Sequence, residues 1–276
     1  MFTLNCKGRL LVVDKPLVMG IINVTPDSFY RESRHPTADA VLRQAEQMLH
    51  DGAGILDIGG QSTRPGSEKL SADEELKRVI EPVAAIHKRF PEAFISIDTY
   101  YSEVAAGAIA AGADIVNDIS AGALDKRMIE TVAALNVPYV LMHMKGTPQD
   151  MQQQAVYENV TREVLDFLIN KISELRMAGI KDIIADPGFG FAKTTDHNFE
   201  LLRNLSLFNI PGCPVLLGIS RKSFIYKTLD TTATNALNGT TALNMMGLMN
   251  GASILRVHDV KEAVETIKLF SACKLS

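Results

Sequence analysis

Asp182-Ile183-Ile184-Ala185-Asp186-Pro187-Gly188-Phe189-Gly190 is an apolar run of strand length that stops at a carboxylate and is followed at once by Pro and Gly. A run with no polar face is the pattern of a strand covered on both sides in a parallel sheet. Asp186 then sits where a buried strand emerges. An isolated charge there is costly unless a cation or a hydrogen-bond donor meets it. On its own the residue reads equally well as the cap of the following loop, since Asp is common in turns.

Repetition decides between the two readings. Leu17-Val18-Met19-Gly20-Ile21-Ile22 ends at Asn23, Gly54-Ile55-Leu56 at Asp57, Phe94-Ile95-Ser96-Ile97 at Asp98, and Ile115-Val116 at Asn117. Tyr139-Val140-Leu141-Met142 ends at His143, Val215-Leu216-Leu217-Gly218 leads into Ser220-Arg221-Lys222, and Ser253-Ile254-Leu255 ends at Arg256, with His258 beyond. With the first run these make eight buried strands ending in polar groups, the number a (β/α)8 TIM barrel requires. Capping accidents would not place both charge signs at nearly every strand end. In such a barrel those ends converge on one mouth.

Length and composition agree. A chain of 276 residues suits a single barrel, and 46% hydrophobic residues suffice for its core. The net charge of -4 argues against a nucleic-acid partner held by bulk electrostatics. Cys6, Cys213 and Cys273 lack metal-type spacing and suit a reduced, cytoplasmic protein. No apolar stretch approaches a membrane span, so no membrane partner is expected. Phe2 to Asp14 reads as a short N-terminal hairpin closing the barrel floor. Helices are expected over Ala38–His50, Ser71–Phe90 (opening with a Ser71/Glu74 capping box), Ser102–Ala111, Asp125–Leu135, Glu158–Ala178, Asp196–Phe208, Thr240–Asn250 and Val260–Phe270. Strand–helix alternation without a linker implies one domain over residues 1–276.

Three loops and two strand ends carry the chemistry. Gly59-Gly60-Gln61-Ser62-Thr63-Arg64-Pro65-Gly66-Ser67 offers hydroxyls, glycines and one guanidinium that can pair with phosphate oxygens. Alone, it reads as an ordinary surface turn. Phe189 or Phe191 can wall a flat ligand, or pack as core. Arg221 and Lys222 are adjacent, so only one faces the mouth. His143, between Met142 and Met144, reads as a core histidine. Asp98, Asn117 and Asp186 offer acceptors; Arg64, Lys222, Arg256 and His258 offer donors and charge. Two carboxylates and an amide can hold a heterocycle with a guanidine-like edge, and the cations suit a di- or polyphosphate. No Gly-x-Gly-x-x-Gly follows a strand and no P-loop is present.

Asn23-Val24-Thr25-Pro26-Asp27-Ser28-Phe29, Ser62-Thr63-Arg64-Pro65-Gly66, Asp186-Pro187-Gly188-Phe189-Gly190-Phe191, Ser220-Arg221-Lys222-Ser223 and Arg256-Val257-His258-Asp259 resemble, in order and spacing, the signature segments of the dihydropteroate synthase family. They span nearly the whole chain. The resemblance implies a pterin-binding barrel that joins 6-hydroxymethyl-7,8-dihydropterin diphosphate to 4-aminobenzoate, releasing diphosphate, with Mg2+ as cofactor and a homodimer as the assembly. It also implies roles. Asp98, Asn117, Asp186 and Lys222 hold the pterin, Met142 and Phe191 line its slot, Gly218 lies beneath, and Arg256 flanks the ring and reaches the phosphates. Asn23, Thr63, Arg64 and His258 handle diphosphate, Asn23 through the metal. Thr63, Pro65, Phe191, Ser220 and Lys222 border the aminobenzoate. Asp98, Lys222, Arg64 and Asp27 would act in catalysis, by a dissociative route in which diphosphate leaves first.

Two positions depart from the family pattern. Arg31 falls where the family has an acid near the metal. Asp27 is the expected substitute, with Glu32 or direct diphosphate contact by Arg31 as alternatives. Gln61 stands where the family often has Glu. A corrinoid-linked methyltransferase acting on methyltetrahydrofolate uses a similar barrel but needs no diphosphate site, which Arg64, Arg256 and His258 argue against. A non-catalytic pterin-binding paralogue is motivated only by Arg31.

Overall fold

The computed structural model describes residues 1–24, 38–61, 69–209 and 211–273. The apolar runs within them are strands: β3 (Leu17–Asn23), β4 (Ile55–Gly59), β5 (Phe94–Asp98), β6 (Ile115–Asp118), β7 (Tyr139–Met142), β8 (Ile183–Asp186), β9 (Leu216–Leu217) and β10 (Ile254–Val257). They form one parallel sheet in the order β8-β7-β6-β5-β4-β3-β10-β9. A parallel bridge from Ala185 to Val215 joins its two edges and closes the barrel.

The floor is closed by the expected hairpin, β1 (Phe2–Cys6) and β2 (Arg9–Val13), paired antiparallel with Cys6 opposite Arg9. Its two-residue turn needs positive φ twice, which Lys7 (54°) and Gly8 (88°) supply. Leu4, Cys6, Leu11 and Val13 pack onto Met19, Ile55, Ile115, Val140, Ile184, Leu216 and Ile254, the lowest inward layer of the barrel. Burying these side chains is worth about 1.5–3 kcal/mol for each large one.

Helices cover the outside: α1 (Ala38–His50), α2 (Ala72–Arg89), α3 (Ser102–Ala111), α4 (Met128–Leu135), α5 (Val160–Met177), α6 (Thr195–Arg203), α7 (Ser223–Thr228), α8 (Leu237–Met249) and α9 (Val260–Cys273). The Ser71/Glu74 capping box opens α2. Several elements differ from the sequence reading; α7 is not expected there at all, and α8 starts at Leu237 rather than Thr240. β4 runs on to Gly59, because Ile58 and Gly59 still pair with Ile97 and Asp98. β9 is two residues long, and Pro214 before it has no N–H to extend the ladder. α4 starts late, because the Asp125 carboxylate accepts from the backbone of Ser102 and Arg127 and so holds a turn. α6 ends at Arg203, and Leu205–Asn209 follows as a separate 3-10 turn. Among the described residues no helix is long and apolar enough to cross a membrane.

Candidate active site

Side chains alternate along a strand with a period of two. The inward floor residues therefore predict the inward residues one step higher. Ile55 places Asp57 inward, Phe94 places Ser96 and Asp98, Ile115 places Asn117, and Val140 places Met142. Ile184 places Asp186, Leu216 places Gly218, and Ile254 places Arg256. The strand register brings these together above the apolar layer.

Arg256 is the hub. Its Nε donates to Asp57 Oδ2 at 2.6 Å and its Nη2 to Asp98 Oδ2 at 2.6 Å. Asn117 Nδ2 donates to the same Asp57 oxygen at 3.0 Å. Asp57 is 1% exposed, and its second oxygen, Oδ1, has no hydrogen-bond partner among the described residues. Burial pushes the Asp98 carboxyl up to about 7, with Arg256 pulling the other way. Burial works against the Arg256 charge too, but Asp57 and Asp98 beside it hold the guanidinium firmly protonated.

Asp186 is buried and accepts the Gly188 N–H at 2.7 Å. Burial raises its carboxyl, opposed first by Lys222. Lys222 donates to the carbonyl of Phe189, and its ammonium lies 4.4 Å from the centroid of the Phe191 ring. Burial lowers Lys222 to about 8. Gly190, at φ 79°, leaves room for the Lys222 stem, since a Cβ there would lie 2.9 Å from Lys222 Cδ. Gly218 leaves the space above Leu216 and beside Asp186 open. Met142 packs with Tyr100 and Ile119, and Phe191 lies against that cluster. Phe191 is half-buried, while Phe189 is fully buried core.

Ser220 Oγ lies 3.0 Å from His258 Nδ1 and accepts the His258 N–H at 3.2 Å. Only Lys222 of the basic pair faces the mouth: Arg221 turns away into a two-armed ion pair with Asp259, at 2.8 Å on each arm. Asn23 ends β3, and its Oδ1 and Asp98 Oδ2 lie on the same open side of Gly59. Asp27, Arg31, Glu32, Thr63, Arg64 and Pro65 lie outside the described residues. Among the described residues, no group of three His, Cys, Asp or Glu side chains could hold a metal ion.

Two groups escaped the sequence reading of the site. Asp57 reads in the sequence as a strand end rather than an inward carboxylate; the alternation Ile55, Asp57, Gly59 is the signal that finds it. Lys193 is 3% exposed and bonded to His143, which no pattern in the loop discloses. Gln61 is pinned between Tyr100 and the backbone of Leu70, a role that its amide can fill with both a donor and an acceptor.

The described mouth can bind a flat, hydrogen-bond-donating heterocycle through Asp98, Asp186 and Asn117, and an anion through Arg256 and Lys222. A family model described as pterin binding enzyme matches residues 19–258. Over 271 residues, 98% of each chain, the sequence is 42% identical to a protein of Haemophilus influenzae named dihydropteroate synthase. The fold is similar to a solved structure of Xanthomonas albilineans dihydropteroate synthase with 4-aminobenzoic acid, at a TM-score of 0.93 and 39% identity, covering 99% of this chain and 98% of that one. It is similar also to a structure of the Xanthomonas albilineans enzyme in complex with 7,8-dihydropteroate, at a TM-score of 0.90 and 37% identity, with 99% of each covered.

Proposed function

The chain belongs to the pterin-binding enzyme family and within it to the dihydropteroate synthases, and we propose that it condenses 6-hydroxymethyl-7,8-dihydropterin diphosphate with 4-aminobenzoate, giving 7,8-dihydropteroate and diphosphate. The observation that carries this reading is the convergence of Asp57, Asp98, Asn117, Asp186 and Arg256 from five strands onto one mouth, with Lys222 beside them.

The pterin's amino-pyrimidinone edge would donate to Asp186, with Asn117 and Lys222 completing the match, and its ring would lie between Met142, Phe191 and Arg256 above Gly218. In the dissociative route the bond from the pterin methylene to diphosphate oxygen breaks first, and the oxygen keeps the electron pair. Arg256 and His258 would take the growing charge, together with Thr63 and Arg64 of the second loop. Asp98 and Asp186 would stabilise the positive charge that spreads into the ring. The aniline nitrogen of 4-aminobenzoate, bordered by Ser220, Lys222, Phe191, Thr63 and Pro65, would then bond to the methylene and lose its proton.

Mg2+ would supply charge neutralisation for the leaving diphosphate when bound. The donors present fit an ion that arrives with its phosphates: Mg2+ keeps several waters and takes only one or two carboxylates. Asn23 offers one hard oxygen at the mouth, and Asp27 would add a carboxylate in place of the acid lost at Arg31. Asp27→Ala is expected to shift the Mg2+ dependence of turnover more than Glu32→Ala does, and the reverse order would make Glu32 the substitute. A single cytoplasmic barrel domain assembling as a homodimer completes the proposal; Ile169, Met177 and Leu207 are large apolar side chains left exposed on the helical surface.

Diphosphate release tests the reaction. Mixing the chain with pterin diphosphate, Mg2+ and 4-aminobenzoate is expected to release one diphosphate per dihydropteroate formed. No release with all three present would overturn the proposal.

A further inference from the structure

The cations of the mouth are unevenly shared. Arg256 is bonded to Asp57 and Asp98, and Lys222 to the Phe189 carbonyl. Asp186 is held by one backbone N–H, that of Gly188, and among the described residues it forms no direct ion pair. A buried carboxylate so poorly paired is expensive. Behind it lies a cation that does not reach the mouth. Lys193 is 3% exposed, and its ammonium donates to His143 Nδ1 at 3.0 Å, to the His143 carbonyl at 3.4 Å and to the Phe191 carbonyl at 3.0 Å. Three acceptors use the three N–H groups of a charged lysine. Its Nζ sits 3.3 Å from the point where a Cβ on Gly188 would stand, and Gly188 is the residue that holds Asp186.

We propose that Lys193 is a positioning residue of the pterin site: its buried charge compensates Asp186 from behind, and its three hydrogen bonds fix Phe191 against the end of β7. The inference rests on the reading of the mouth as a pterin site. Lys222 and Arg256 face the ligand, so their charge is redistributed when it docks. Lys193 is sealed beneath the turn, so its charge stays with Asp186 in both states. His143 suits the acceptor role, because burial and the neighbouring Lys193 and Lys145 push its imidazole down to about 2 and keep it neutral. Burial drives the Lys193 ammonium toward neutrality, and Asp186 pulls it back. The charged groups facing Asp186 are Lys222, Arg256 and Lys193; those facing Lys193 are Asp186, Lys222 and Lys145, with His143 neutral.

Calorimetry with 6-hydroxymethylpterin, run from pH 5 to pH 8.5, separates charge from packing. Lys193→Met removes both charge and hydrogen bonds, Lys193→Gln keeps donors without charge, and Lys193→Arg keeps charge. The expected result is a loss of about tenfold in affinity at neutral pH for Met and Gln, about 1.4 kcal/mol. The acid limb of binding should also move to higher pH, since Asp186 loses a cation that favours its ionised form. Lys193→Arg should restore both features at least in part. If the Met variant does not fold, the Gln and Arg pair decides. Parental affinity and an unmoved acid limb in Lys193→Gln overturn the proposal, as does an Arg variant no better than Gln. A parent chain that does not bind the pterin overturns the functional reading and this inference with it.

Discussion

The floor and the mouth of the barrel each hold an arginine against buried aspartate, and they are finished differently. At the floor, Arg9 pairs with Asp114 at 2.9 Å, donates to the carbonyls of Pro91 and Ala93, and covers the Phe94 ring at 4.5 Å. The same Asp114 oxygen also accepts the Ile95 N–H, at 3.0 Å. The Arg9 guanidinium and the Asp114 carboxylate are thus tied to each other and to the backbone. At the mouth, Arg256 must serve two carboxylates and burial raises Asp98 to about 7; among the described residues, Asp57 keeps one oxygen unpartnered and Asp186 has a single backbone donor. The floor pair is closed on itself, whereas the mouth carries polar groups that, on the proposed function, the pterin would complete. In barrels generally, the N-terminal face serves stability and the C-terminal face serves chemistry.

The sharpest way to break this contrast is Asp186→Asn. It removes a charge that the mouth tolerates poorly, so stability should hold or rise while binding of 6-hydroxymethylpterin falls. Hydrogen bonds to charged groups are worth about 1.5–3 kcal/mol, or about ten- to a hundredfold in affinity. Calorimetry and urea unfolding read the two halves, and a destabilised variant with intact affinity would reverse the assignment. The floor counterpart is Asp114→Ala. It orphans the Ile95 N–H and leaves Arg9 with its two carbonyl acceptors but no counter-charge, and should cost about 1–3 kcal/mol of stability. Turnover measured below its melting temperature should stay within about twofold of the parent.

Asp57→Asn should produce a smaller effect at the mouth. The new amide sets a donor against those of Arg256 and Asn117. The Michaelis constant for pterin diphosphate is expected to rise about tenfold, with that for 4-aminobenzoate little changed. Equal changes in both would mean that Asp57 supports the whole barrel rather than the pterin end.

The smallest expected effect is in pH dependence. Asp98 has an ordinary value of 3.8 and is raised to about 7 in the fold, chiefly by burial. The folded chain therefore binds a proton more tightly than the unfolded one. Its contribution to stability is full below about pH 4, falls between about 4 and about 7, and is gone above that. Glu75, raised to about 8 by burial, adds a decline of the same sign. Unfolding free energy should thus decrease from pH 5 to pH 7.5, and Asp98→Asn should flatten part of that slope. A slope of equal size in the variant would remove Asp98 from the strained set.

The mouth was far easier to read in the sequence than the floor. Asp98, Asn117, Asp186 and Arg256 announce themselves because an apolar run stops at a polar group, a local signal. Arg9 and Asp114 are 105 residues apart, and nothing local to either one marks the pair. Asp57 is visible but reads as the strand's end, because Ile58 and Gly59 are too short a run to extend a strand without their partners Ile97 and Asp98. Lys193 sits in a loop where lysine is ordinarily solvated, and its burial depends on His143 arriving from another strand. Which of Arg221 and Lys222 faces inward was likewise undecidable from adjacency. Asp259 settles it, by capturing Arg221.

The direct test of a mouth completed by ligand, beside a floor complete without one, is the melting temperature with and without saturating 6-hydroxymethylpterin in the parent, Asp186→Asn and Asp114→Ala. At a hundredfold excess over its dissociation constant a ligand stabilises the folded state by about 2.7 kcal/mol. The parent and Asp114→Ala should gain the same increment, with Asp114→Ala starting from a lower value, and Asp186→Asn should gain little. No shift in the parent, or an equal shift in Asp186→Asn, would contradict the assignment of the mouth.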